Sequence, residues 1–367
     1  YADGVRHAFI MDPLERVKPH KDTTYFLMLA AQQRGHEVFY VDPKTLTLDH
    51  DRVVAKGCSV TVSERHDKPF SSGAETALAL HGMDVVWIRP DPPFDRGYLY
   101  VTLILDYLPS DVQVINRPAT IRDWNEKLAA LRYPTLTPRT LVSRDPVQID
   151  EFVQRLGRIT VKPVDGYGGK GIVFLDADSD DLETQLHLAT HEGRHWVVAQ
   201  EYLPAARDGD KRILLLDGEP LGAILRVHAE GVELNNLDQG GTAQPCALDA
   251  RDREICNALR EDLTGHGVRF AGIDVIGGLL IEVNITSPTG LQEMSRFDGE
   301  TYHHQVIERL GGALSGGGEL SKQAFQLLQQ PIYKLDVELQ LLQNRTVNLT
   351  ELREGVVPGL LLQTEIP

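Results

Sequence analysis

The residues of this chain able to do chemistry gather in two short stretches. The first, Val268-Arg-Phe-Ala-Gly-Ile-Asp274-Val-Ile-Gly-Gly-Leu-Leu-Ile-Glu282-Val-Asn284, reads as a β-hairpin. Glu282 and Asn284 are two apart, so a strand puts both on one face. Asp274 joins them only if the turn has the right parity. A two-residue Gly277-Gly278 turn would pair residue 274 with 281 and point Asp274 away. A three-residue turn, Ile276-Gly277-Gly278, would pair 274 with 280 and bring all three oxygens to one face, and this odd-length turn is expected. Such a trio suits Mg²⁺, which takes few carboxylates and completes its shell with water and phosphates. The competing reading is a solvated polar face. The second stretch is Asp165-Gly-Tyr-Gly-Gly-Lys-Gly171, which follows Lys162 and Pro163. It is no Walker loop, because Gly171 stands where Ser or Thr is required. Gly166, Gly168 and Gly171 satisfy GxGxxG, but that fingerprint opens a helix, and Ile172-Val-Phe-Leu175 reads as a strand. There remain a glycine-rich hairpin tip, whose bare N–H groups can lie over phosphates, and a turn without a ligand. Lys162 and Lys127 offer point charges to a phosphate, or are solvated lysines.

The elements around these stretches fall into distinct regions. Arg6–Met11 reads as a buried strand, Asp22 as the cap of a helix ended by Gly35, and His36–Val41 as the next strand. With strands at Asp84–Ile88 and Val112–Ile115, the first 120 or so residues read as an open parallel sheet, whose ligands collect at the strands' carboxyl ends. A helix is expected over 123–131, strands flanking the glycine loop over 158–176, a helix near 179–190, a strand at Trp196–Gln200, a helix at 250–265 and another through Tyr302 and Leu310. Residues 311–318 read as a flexible linker. The fold class is therefore α/β: an N-terminal unit over 1–122, two lobes over 123–200 and 201–312, a linker over 313–330 and a short β-rich extension over 331–367. A formal charge of −16 argues against sequence-independent nucleic-acid binding. No apolar run reaches membrane-spanning length. Cys58, Cys246 and Cys256 form no CxxC pair and read as free thiols of a reducing cytoplasm. The sequence opens on Tyr1 rather than Met, so residues upstream are expected.

Taken together these residues resemble the ATP-grasp superfamily, most closely the bacterial glutathione synthetases, over about residues 5–312. The motifs that carry the likeness are MDP (11–13), KDTT (21–24), DPPFD (91–95), NRP (116–118), NEK (125–127), KPxDGxGG (162–169), AQEYLP (199–204), DGDKR (208–212), DGEP (217–220), GxDVIG (272–277) and EVNITSPTG (282–290). The resemblance implies that ATP and γ-glutamylcysteine form an acyl phosphate, which glycine's amine attacks. It implies that Lys127 and Lys162 hold ATP phosphates under a lid containing Gly166, Gly168 and Gly169. Gln200, Glu201, Tyr202 and Leu203 would bind adenine, with Glu201 and Asp208 on the ribose side. Asp274, Glu282 and Asn284 would hold two Mg²⁺ or Mn²⁺ ions, and Arg212 and Arg226 would stabilise the transferring phosphoryl group. Asn236, Gly240, Gly241, Ser287, Pro288 and Thr289 would shape the glutathione site, and Asp12, Asp22, Arg89 and Asp91 would hold the dipeptide. A cytoplasmic homotetramer is implied as well.

This chain departs from the pattern in three places. The segment ELNNLDQGGTAQP (233–245) lacks arginines that flank the corresponding Asn and Gly-Gly in relatives. Pro90 replaces a frequent Lys, which shifts charge onto Arg89. The tail reads as a hairpin turning at Asn344-Arg345, and it faintly resembles a small β-domain of flagellar-switch and secretion-ring proteins. Two alternatives stand beside the synthetase reading: another carboxylate–amine ligase of this fold, and a catalytically silent ATP-binding regulator.

Overall fold

Strand β1 (Arg6–Ile10) is buried from His7 to Ile10, as a strand covered on both faces must be. The computed structural model describes residues 4–228 and 241–311 of the chain. Helix α1 (Thr23–Gln33) is capped by Asp22, whose carboxylate accepts from the Tyr25 N–H at 2.8 Å. β2 (Glu37–Val41) then lies parallel to β1, completing the expected β-α-β unit. Next come β3 (Thr47–Asp49), β4 (Arg52–Val62), β5 (Phe70–Ser72), β6 (Thr76–Ala79), β7 (Val85–Ile88), α2 (Arg96–Leu105) and β8 (Gln113–Ile115). Strands β2, β1, β7 and β8 run parallel, but β4 pairs antiparallel with β2, β3, β5 and β6. The sheet is therefore mixed rather than purely parallel. β4 buries Val53 and Ala55 at one parity and Cys58, Val60 and Val62 at the other, so its two halves turn opposite faces to two different apolar clusters.

The helix expected over 123–131 is two helices, α3 (Pro118–Asp123) and α4 (Glu126–Ala130). Asn125 divides them, because its side-chain oxygen accepts from the N–H groups of Lys127 and Leu128 at 3.0 and 3.1 Å and starts a new helix. β9 (Thr140–Ser143), α5 (Pro146–Leu156), β10 (Arg158–Pro163), β11 (Val173–Asp176), α6 (Leu182–Ala189) and β12 (Val197–Glu201) follow. Their antiparallel sheet, in the order β11-β10-β12-β9, encloses an apolar cluster of its own that includes Ile149, Phe152, Ile159 and Leu175. The third sheet is built from β13 (Asp210–Leu216), β14 (Glu219–Val227), β15 (Thr242–Pro245) and, after α7 (Ala250–Gly265), β16 (Phe270–Ile276) and β17 (Leu279–Asn284). Its order is β15-β14-β13-β16-β17. Helices α8 (Leu291–Asp298) and α9 (Tyr302–Gly311) close the described region.

The β16–β17 turn corrects the expected register. Ile276 pairs with Leu279, so the turn has two residues, and Gly277 and Gly278 both hold positive φ (57° and 74°) as the tight hairpin turn demands. A β-bulge at Ile281 then shifts the ladder, so that Asp274 faces Glu282 instead of residue 280 or 281. The extra residue restores the parity that the even turn alone would have lost. Asp274, Glu282 and Asn284 consequently share one face.

Asn116 binds the first sheet to the third. Its amide donates to the Phe270 and Ile285 carbonyls at 2.7 Å each, and its oxygen accepts from the Arg269 and Phe270 N–H groups at 2.8 and 2.9 Å. Every donor and both acceptor sites of this side chain are used. Apolar packing follows the same line. Both large clusters combine residues before 137 (Ile10, Trp87) with residues after 212 (Ile213, Phe270). Asn116→Ala is expected to cost about 3 kcal/mol, because it strands buried strand ends. Urea unfolding would measure the loss.

Candidate active site

One cleft of about 690 Å³ opens between the glycine loop and the third sheet, a volume suited to a small-molecule site. Its floor is a cross-strand charge array. Arg212 on β13 pairs in register with Asp274 on β16, Asp210 with Arg226 on β14, and Asp274 with Glu282 on β17. Residues 210 and 212, and 282 and 284, are each two apart, so each pair lies on one face. Gly272 stands opposite Asn284, and a Cβ there would sit 3.2 Å from Arg212 Cδ and 3.1 Å from Pro288 Cβ. Its bareness leaves room for the arginine.

Arg212 grips Asp274 through Nε–Oδ1 at 2.5 Å and Nη2–Oδ2 at 2.9 Å. Arg226 adds Nη2–Oδ2 at 3.0 Å and holds Asp210 through two bonds of 2.7 Å. Burial would raise the Asp274 carboxyl, but the two guanidiniums overrule it and hold it well below the usual carboxylate range. Burial does raise the Asp210 carboxyl, which Arg226 only partly counters. Asn284 Nδ2 approaches Asp274 Oδ2 at 3.4 Å. On the opposite wall, Lys127 Nζ lies 2.5 Å from the Gly166 carbonyl and 3.8 Å from Glu282 Oε1. Lys162 Nζ donates to Gln200 Oε1 at 3.2 Å, and burial lowers its pKa.

The cleft collects most of the residues read from the sequence. Lining it are Asp22, Asp91, Lys127, Lys162, Gly166, Gly168, Gly169, the run Gln200–Leu203, Arg212, Arg226, Asp274, Glu282, Asn284, Ser287, Pro288 and Thr289. Others stand apart. Asp208 is exposed and outside the cleft, whose lining here is Asp210, two residues on. Asp12 is also outside the lining and accepts from the Asp91 N–H at 2.8 Å. Arg89, expected to carry substrate charge, is buried and spends its guanidinium on Thr24 Oγ1 (3.0 Å) and the Pro288 carbonyl (3.1 Å). Gly241 does not line the cleft, and Asn236 and Gly240 lie outside the described residues, as do the linker and the tail hairpin. Sequence reasoning passed over Glu126. Its carboxylate accepts from Thr286 Oγ1 at 2.8 Å, and burial followed by the Glu282 charge raises its pKa. The signal available was its place between the capping Asn125 and Lys127.

The chain matches two family models: the N-terminal domain of prokaryotic glutathione synthetase over residues 5–122, and its ATP-grasp domain over residues 126–299. The glutathione synthetase of Parasynechococcus marenigrum is 41% identical over 307 residues, 83% of this chain and 99% of that protein. The chain belongs to the prokaryotic glutathione synthetases. That of a Nostoc species is also 41% identical, over 315 residues, 82% of this chain and 96% of its own. Among solved structures, the fold is similar to a D-cycloserine synthetase (TM-score 0.59, 16% identity, 83% of this chain and 99% of the other). It is similar also to an ATP-grasp RimK-domain protein from Sphaerobacter thermophilus (TM-score 0.55, 18% identity, 84% of this chain and 100% of the other). The fold is ATP-grasp, and the chain is an ATP-dependent ligase. As in other glutathione synthetases, a divalent metal is implied, and the donor set fits one. Among the described residues no group of three or more His, Cys, Asp or Glu is arranged to hold an ion. Two carboxylates and one amide oxygen on a single face match a hard cation that draws the rest of its shell from water and phosphate. Among the described residues no helix is long and apolar enough to cross a membrane. Asp274→Asn would leave buried guanidiniums without their shared anion, and the expected cost is about 3 kcal/mol or more at neutral pH. Chemical unfolding of the variant against the wild type checks it.

Proposed function

We propose that this cleft joins γ-glutamylcysteine to glycine with ATP, through an acyl phosphate formed over the face of Asp274, Glu282 and Asn284. The observation that carries the reading is the convergence of Arg212, Arg226 and three oxygen donors on one sheet face, across from Lys127 and Lys162 at the root of a glycine hairpin. A carboxylate is a poor electrophile at neutral pH. Transfer of the γ-phosphoryl group to the cysteinyl carboxylate makes a mixed anhydride, glycine's amine attacks its carbonyl carbon, and phosphate leaves. Such transfer needs positioning and charge neutralisation rather than covalent help.

Each wall then has a task. Lys127 and Lys162 hold the phosphates beneath Gly166, Gly168 and Gly169. Arg212 and Arg226 shield the transferring phosphoryl group. Asp274, Glu282 and Asn284 would hold two Mg²⁺ or Mn²⁺ ions, which when bound neutralise phosphate charge. The Gln200–Leu203 run, with Phe174 and Ile281 also lining the cleft, offers adenine a slot of backbone polar groups and apolar surface. Glu201 is held by Arg139 through bonds of 2.9 and 3.0 Å, and we assign its carboxylate to the ribose. Asp22, Asp91, Ser287, Pro288 and Thr289 face the dipeptide. We assign 1–122 to substrate binding, 123–200 to the lid-bearing lobe and 201–312 to the metal-bearing lobe. The three free thiols, Cys58, Cys246 and Cys256, support a reducing cytoplasm.

Phosphate release from ATP, with γ-glutamylcysteine and glycine omitted in turn, tests the reading. Full release is expected only when both are present, and release indifferent to either rejects it. A second prediction concerns Lys162. Burial lowers its pKa, and a phosphate beside it favours the charged form, so ATP binding takes up a proton wherever the free side chain is neutral. The KM for ATP is therefore expected to climb with pH along a limb that begins below the ordinary lysine value of about 10.4. Lys162→Arg, whose guanidinium stays charged, should flatten that limb in steady-state titrations.

A further inference from the structure

Glu293 enters none of the roles assigned above. It lies in the first turn of α8, is only 8% exposed, and lines the cleft. Its Oε2 is buried and meets no hydrogen-bond donor among the described residues. A buried acceptor left unmet is costly, so an oxygen in this position, on a cleft wall, is matched by something the cleft receives. Gln292 beside it fixes the setting: its amide donates to the carbonyls of Pro19 (2.9 Å) and Asp22 (2.8 Å), tying α8 to the loop before α1. That loop also brings Arg16 and Lys18 to the cleft, both exposed. Neither side chain is ion-paired with another described residue. One end of the cleft thus offers a buried anion and two uncommitted cations, the complement of an amino-acid zwitterion.

We propose that Glu293 receives the α-ammonium of the γ-glutamyl group, while Arg16 and Lys18 take the α-carboxylate beside it. The inference rests on the cleft's being a γ-glutamylcysteine site. Glu293 repels ATP phosphates and substrate carboxylates, and among the donors of the substrates an ammonium is the one that matches its charge. The substrates carry two, one on the dipeptide and one on glycine. Glycine's amine must reach the acyl carbon beside Arg212 and Arg226. Arg296 and Lys21 act on Glu293 more strongly than Arg212 or Arg226 does. The dipeptide's free amino-acid end is therefore the group assigned. Glu293 would set which γ-glutamyl compounds are accepted, and it moves no proton in the reaction.

The test compares γ-glutamylcysteine with glutarylcysteine, which lacks only the α-amino group. Glu293→Gln is expected to raise KM for γ-glutamylcysteine about ten- to a hundredfold, the range for a hydrogen bond to a charged group, with little change in kcat. Its KM for glutarylcysteine should equal the wild type's. An equal loss with both compounds overturns the proposal, as does a change confined to glycine's KM. Without substrates, the variant should melt at or above the wild-type temperature, because an unmatched buried carboxylate has been removed. The wild type alone supplies a further check: γ-glutamylcysteine should raise its melting temperature more than glutarylcysteine does, and equal shifts overturn the proposal. If the wild type releases no phosphate from ATP, dipeptide and glycine, the synthetase reading fails. If it does so without preferring the amino group, only this inference falls.

Discussion

Asp274 is a carboxylate taken out of water and held between two guanidiniums, and the arrangement of the cleft follows from keeping it there. Burial alone would drive it toward the neutral acid. It stays charged because β13 and β14 each present an arginine on the same sheet face, with Asp210 steadying the outer one. Several local choices serve that geometry. Gly272 makes room for the Arg212 side chain, the Gly277-Gly278 turn closes the hairpin tightly, and the bulge at Ile281 sets Glu282 beside Asp274. A buried pair of this kind contributes little net stability. Its value is that it holds strong charge in fixed positions without rearrangement when a phosphoryl group arrives.

The opposite wall is positioned by different means. Lys127 stands in a one-and-a-half-turn helix whose start is set by Asn125, and that residue also donates to the Val164 carbonyl at 3.0 Å. Lys162 reaches the cleft from the end of β10, where Gln200 on the neighbouring β12 holds it. The two ammonium groups thus meet the glycine loop from separate elements. The sheet of Lys162 has its own apolar cluster, whereas the helix of Lys127 and the sheet of the acidic floor share their core with the N-terminal unit.

Legibility in the sequence followed the range of the forces involved. Period-two spacing made Glu282 and Asn284 readable as partners, and cap chemistry located α1 at Asp22. The path by which Asp274 joined them was misjudged, because an even turn with a bulge and an odd turn without one bring it to the same face. The resemblance brings Asp208 forward and gives Asp210 no role, because the sequence does not reveal that Pro204–Asp208 coils as a 3-10 turn before β13 begins at Asp210. The resemblance gives Arg89 to the dipeptide, yet the carbonyl it binds in the structure lies 199 residues downstream. Glu126 offers only its place between Asn125 and Lys127, and Glu293 carries no local signal, since the partners that set their surroundings lie far away in the chain.

The division of apolar packing has a consequence for recombination among relatives. A crossover near residue 124 would give each parent half of two shared cores, so mismatched methyl groups would meet throughout the interior. Crossovers near 139 and 209 would instead exchange a piece that carries its own interior, leaving chiefly the cleft surface to be reconciled. Nucleotide-side properties should therefore be transplantable as a block, while the acidic floor and the N-terminal sheet must be inherited together.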